Sequence, residues 1–109
     1  MSAADRLTTG RALETLDGAG GATFVTLFER GSMSVEIYRP RKLDPQTPHD
    51  QDELYVVISG SGAFVKDGLS QRFEPGEMLF VAANVPHRFE DFSDDFATWV
   101  IFYGPRGGE

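Results

Sequence analysis

From residue 22 onward the chain is a succession of short β-branched and aromatic runs, each cut off by turn residues before it reaches helical length. The runs are ATFVTLFE (22–29), MSVEIY (33–38), ELYVVIS (53–59), AFVK (63–66), SQRF (70–73), MLFVA (78–82), HRFE (87–90) and FATWVIFY (96–103). Val, Ile, Thr and aromatic side chains suit a pleated, half-buried surface, and breaks at close, regular intervals mark a sandwich or barrel. Asp67-Gly68 supplies the positive φ angles of a tight hairpin, and Pro75-Gly76 fits the centre of a type II turn, so consecutive strands should mostly run antiparallel. The expected fold class is all-β: an antiparallel β-barrel of two facing sheets.

Two of the runs, LYVVI and WVIFY, are apolar on both faces, which a sheet with one wet side does not explain. One face can line the interior while the other packs on a second sheet or on another subunit. A domain this small has few fully internal strands, so a homodimer is expected. Ahead of the runs, residues 1–21 form a helical or irregular lead-in, and residues 22–109 form the single β domain. Leu7, Leu13 and Leu16 can line one side of a short helix through GRALETLD, which DGAGG then breaks.

Composition narrows the function. Seventeen acidic residues against ten basic ones give a net charge of −7, which repels a nucleic-acid phosphate backbone. The densest basic group, Arg39, Arg41 and Lys42, reads as a solvated connection, and so does the acidic segment FEDFSDDF at 89–96, which lacks the glycine of a calcium loop. With no cysteine there is no disulfide, thiolate nucleophile or sulfur-ligated zinc. The N-terminus has no apolar run of signal-peptide length and nothing later approaches a membrane span, so a soluble, cytoplasmic protein without membrane contact is expected.

The chain has two histidines, His49 and His87, and Glu53 follows the first by four residues. In a straight strand His49 and Glu53 share a face, but about 13 Å would separate their Cα atoms, too far for one ion about 2 Å from each donor. The chain must therefore bend through Asp50, Gln51 and Asp52 if both are to bind. Thr47 and Pro48 also suit a helix start, but Val56, Val57 and Ile58 ahead of Gly60 favour a strand. His87 follows a Val-Pro turn at the head of another strand, where it can enter the enclosure from the opposite wall.

With these spacings the sequence resembles the cupin family, whose first motif runs G-x5-H-x-H-x(3,4)-E-x6-G and whose second runs G-x5-P-x-G-x2-H-x3-N. His49, three residues, Glu53, six residues and Gly60 match the latter part of the first motif; Gly76 and His87 match the second. Thr47 stands where the family has its first histidine, and the motif's first glycine position, six residues before it, holds Arg41. Ala82, Asn84 and Asp91 replace the proline, glycine and asparagine of the second motif. The resemblance spans about residues 22–104 and implies a small single-domain jelly roll with a divalent metal inside, held by His49, Glu53 and His87. Iron, zinc, nickel, manganese and copper all remain open, and iron(II) would match a facial triad.

Thr47 and Gln51 read as hydrogen-bonding neighbours of the site or as weak oxygen ligands, and Asp50 and Asp52 as turn residues beside solvent. Tyr55 and Asp52 are the candidate acid or base groups. Phe64, Phe80, Phe89, Trp99 and Phe102 supply aromatic surface that serves as core first and pocket wall second. The implied function is a metal-binding cupin whose pocket takes a small organic molecule, an organic acid or a sugar-like compound, with enzymes of oxygenase, isomerase or lyase type in view. The alternative is a barrel without metal that binds a small ligand or a protein.

Overall fold

The computed structural model describes residues 6–45 and 47–109, so the first five residues of the expected lead-in lie outside the described residues. A helix, α1 (Thr9–Asp17), precedes eight strands: β1 (Phe24–Arg30), β2 (Met33–Tyr38), β3 (Asp52–Ser59), β4 (Gly62–Lys66), β5 (Leu69–Phe73), β6 (Met78–Val81), β7 (His87–Glu90) and β8 (Ala97–Tyr103). They form two antiparallel sheets, one of five strands in the order β1-β2-β8-β3-β6 and one of three in the order β5-β4-β7. The turn chemistry anticipated at Asp67-Gly68 is present, with φ of 49° and 80° at the two residues.

Alternation along the strands builds the core. Tyr38, Tyr55, Val57, Val81 and Val100 from the five-stranded sheet meet Phe64, Phe73 and Phe89 from the three-stranded one. Phe96, fully buried just before β8, wedges between the sheets, its ring 4.7 Å from that of Phe89 and 4.9 Å from that of Phe73. Burying rings of this size supplies much of the hydrophobic driving force of a small domain.

The two facing antiparallel sheets are as expected, but the continuous barrel is corrected. Among the described residues no ladder joins an edge of the five-stranded sheet to an edge of the three-stranded one. Strands β5, β6 and β7 have only five, four and four residues, and the space between the sheets is filled by rings. Side-chain packing, rather than hydrogen-bond closure, encloses the interior.

The back of the five-stranded sheet is partly covered from within the chain. Thr8 caps α1 by accepting from the Arg11 N–H at 3.2 Å, and Arg39 pairs with Asp17 at the helix end. Leu16 and Ala12 of the helix then pack with Ile37, and with half-buried Val25, Ile58 and Trp99. Of the expected helix-lining leucines, Leu16 is buried and Leu13 packs at the margin, while Leu7 stays 39% exposed. Trp99 and Ile58 are thus apolar on the outer face because a helix sits on them.

Candidate metal centre

Glu53 is the second residue of β3, where the alternation that turns Tyr55 and Val57 inward turns it inward too. His87 opens β7 of the other sheet, and His49 lies in the approach to β3. The chain bends at Asp50 and Gln51, as the His49–Glu53 spacing requires. Asn84 ties the two motifs together: its N–H donates to the His49 carbonyl at 2.6 Å, and its φ is 67° where the family pattern has glycine. Lys42, in the loop that leads to Thr47, also has a positive φ, 63°.

One donor atom from each of His49, Glu53 and His87 lies within 4.8 Å of the other two, so the group could hold a metal ion. The His87 ring nitrogens have different tasks. Nδ1 donates to the Val85 carbonyl at 2.9 Å, since a carbonyl can only accept, and this leaves the lone pair of the neutral ring on Nε2. That Nε2 stands 3.0 Å from Glu53 Oε1 and 3.1 Å from the Tyr55 hydroxyl. Histidine and glutamate side chains there are each 1% exposed. Neither Glu53 carboxylate oxygen has a hydrogen-bond partner among the described residues, so a buried anion faces a nitrogen lone pair with no aligned donor between them. Donors 3.0 Å apart can each reach one cation at about 2.1 Å, and two imidazoles with a carboxylate are a borderline-metal ligand set. The residues present therefore fit a divalent ion.

The His49 ring meets that of Phe102 edge-on at 4.8 Å and lies 5.7 Å from that of His87. Burial alone would pull the His87 pKa down. The Glu53 carboxylate, the Val85 carbonyl, and the charges of Glu53 and Asp44 outweigh it, so the pKa lies above its ordinary 6.5.

A cavity of about 410 Å³ adjoins the cluster, with His49, Glu53, Tyr55, Phe102, Tyr38 and Glu36 in its wall. Thr47 also lines it. Gln51 does not: its amide donates to the carbonyls of Ser32 and Gly104 at 3.1 and 2.9 Å, which corrects the reading that it neighbours the metal. Asp50 pairs with Arg106 at 2.7 Å. Asp52 is buried rather than beside solvent, and accepts from the N–H groups of Ala83 and Glu109, which makes it a brace and not a base. Phe64 and Phe89 are core, Trp99 lies under the helix, and Phe80 is 46% exposed on the outer face.

Three polar residues of this region are not evident from the sequence. Glu36 reaches the cavity because it sits at the middle of β2 with Ser34 and Tyr38 on the same face. Burial, with Glu53 and Glu29 nearby, raises its pKa above the ordinary carboxyl value against a hydrogen bond from Thr26. Tyr38 donates to Asp44 at 2.5 Å, and the other Asp44 oxygen accepts from the Phe89 N–H at 2.8 Å, bridging the sheets. A lone acid in an alternating strand was the only signal for Glu36, and none marked Asp44.

The cupin domain family matches residues 34–103 of the chain. The chain belongs to the cupin domain family. This cupin is 32% identical over 96 residues to an uncharacterized protein of Streptomyces coelicolor, covering 86% of this chain and 91% of that protein. It is 34% identical over 62 residues to the HTH-type transcriptional activator RhaS of Mannheimia succiniciproducens, covering 57% of this chain but only 23% of the activator. Among solved structures it is similar to a candidate mannose-6-phosphate isomerase from Ralstonia eutropha, with a TM-score of 0.59 and 28% identity over 81% of this chain and 89% of that one.

Proposed function

We propose that this cupin is a metal-dependent protein in which His49, Glu53 and His87 hold one divalent cation beside a cavity that admits a small organic molecule. The observation that carries the reading is Glu53: a carboxylate buried to 1% with no hydrogen-bond partner, facing the ring nitrogens of two histidines. Leaving such an anion unpaired costs several kcal/mol, at about the level of one broken buried ion pair, and a cation removes that cost. A divalent ion held there supplies Lewis acidity and open coordination positions.

The chain's own residues do the rest. Val85 fixes the His87 tautomer, and Phe102 orients the His49 ring. Tyr55, with its hydroxyl 3.1 Å from His87 Nε2 and its side chain in the cavity wall, is the group able to hold or pass a proton beside a ligand. The aromatic wall keeps water from competing with the ligand. The reading extends to an enzyme of oxygenase, isomerase or lyase type, for which the likeness to the Ralstonia isomerase candidate is a support. The match to a transcriptional activator favours a second reading, a ligand-binding module with no catalytic role.

The outer face of the five-stranded sheet is proposed to pair two copies of the chain. Leu54, Phe80 and Ile101 share it in register, beyond the patch under α1, and Met78 and Phe80 are 64% and 46% exposed.

Elemental analysis of protein purified without chelators tests the metal reading. A stoichiometric ion is expected in the wild type, with loss in both His87→Ala and Glu53→Ala. A wild type well below one ion per chain, or variants with unchanged content, would overturn it.

A further inference from the structure

One polar group in the cavity wall is not accounted for by a metal ion at the histidines. Glu36 stands between Thr26 of β1 and Val100 of β8 in the ladder, on the inward face of the sheet. It lines the cavity together with the rings of Phe24, Tyr38, Tyr55 and Phe102. No lysine or arginine is among the described residues that line this cavity. Arg39, three residues along the chain, pairs with Asp17 of the helix.

We propose that Glu36 is the specificity residue of this cavity, selecting small organic molecules that carry an ammonium group over neutral or anionic ones of the same shape. The inference rests on the reading of the cavity as a small-molecule site beside a metal ion. An organic acid bound to the ion would still set part of itself against the Glu36 carboxylate, with no lysine or arginine among the described lining residues to offset it. An organic cation meets the opposite field: a carboxylate for its charge and aromatic faces for its methylene or methyl groups. Burial makes the Glu36 carboxylate costly on its own, and a bound ammonium group offsets that cost. A cavity of about 410 Å³ holds a molecule of this kind with room to spare.

Choline and its neutral carbon analogue, in which carbon replaces nitrogen, differ in charge at nearly constant shape. Titration calorimetry on the zinc-loaded protein should show choline bound about tenfold more tightly than the analogue, the scale of a desolvated cation–carboxylate and cation–π contact. In Glu36→Gln, which keeps the shape and can still accept from Thr26, the ratio should fall to about one. Glu36→Asp, which keeps the charge, should retain most of the preference, and thermal unfolding of both variants reports whether they fold. Equal binding of the two probes by the wild type, a preference that survives in Glu36→Gln, or no binding of either probe would overturn the proposal. Zinc content measured in the same preparations reports on His49, Glu53 and His87 separately. A failed metal site and a failed cation preference therefore give different results.

Discussion

Glu53 is where the electrostatics of this cupin concentrate. Its carboxylate is as buried as the core rings around it, yet lacks a hydrogen-bond donor among the described residues. In metal-free protein, at a pH where His87 is neutral, Glu53→Gln should therefore raise the unfolding free energy by about 1–3 kcal/mol in urea titrations, because a buried charge is exchanged for a neutral amide. A loss of stability there would mean that the carboxylate is already satisfied. His87 adds a pH dependence whose sign differs between the two forms of the protein. Because its folded pKa is raised above 6.5, its contact with Glu53 stabilises the metal-free fold fully below 6.5 and loses that contribution as pH rises through the folded value. Metal binding needs the neutral ring, so affinity should fall on acidification through the same window, beginning above pH 6.5 rather than only below it. The gap in melting temperature between loaded and metal-free protein should shrink as pH is lowered through that window; a gap that stays constant to well below 6.5 would contradict the assignment of His87 as a ligand. At this scale the sequence is most legible: His49, Glu53 and His87 fall at motif spacings, and Asn84, at a glycine position of the second motif, has a left-handed φ. Gln51 misleads, because a place beside His49 needs an extended strand, and at the bend its amide turns to the Ser32 and Gly104 carbonyls instead.

The elements that hold the site are locked at the corner between β3 and β4. Ser61 and Ser93 exchange hydrogen bonds at 2.9 and 3.0 Å, and Ser59 donates to the Asp95 carbonyl at 2.6 Å, which seats Phe96 in the core. Gly60 makes the approach possible. Its φ is 82°, and a Cβ there would lie 2.5 Å from the Phe96 Cα. Gly60→Ala should destabilise the fold by about 3 kcal/mol or more, combining left-handed strain with a backbone clash that no side-chain rotation relieves. Equilibrium denaturation checks this, and a change below about 1 kcal/mol would show that the corner opens easily. The final glycine of the first motif is thus explained by packing against Phe96 rather than by contact with the metal. Strand runs and hairpin turns were readable because each depends on a few adjacent residues. The covering role of α1 was not, since Leu13 and Leu16 mark an apolar stripe without saying which surface receives it.

For the whole molecule, the open question posed by its doubly apolar strands is resolved in two parts. The helix covers Ile37, Ile58 and Trp99, while Leu54, Ile101, Met78 and Phe80 extend the apolar face beyond it. If two copies pair there, the wild type should sediment as a dimer at micromolar concentration and Phe80→Asp as a folded monomer, since a charge at the centre of an apolar contact must be desolvated. A monomeric wild type would remove the proposal. By itself the sequence determined the all-β character, the turn positions, the family resemblance and the three metal-friendly residues, because local backbone preference and motif spacing are carried by the chain in order. Only the tertiary structure decided that the sheets face each other without closing and that Glu36 enters the cavity. It also decided that Asp44 bridges the sheets and that Asp52 is a brace. Those outcomes depend on which strands become neighbours: β2 lies beside β8, and β8 beside β3, in a register that no single stretch of residues encodes.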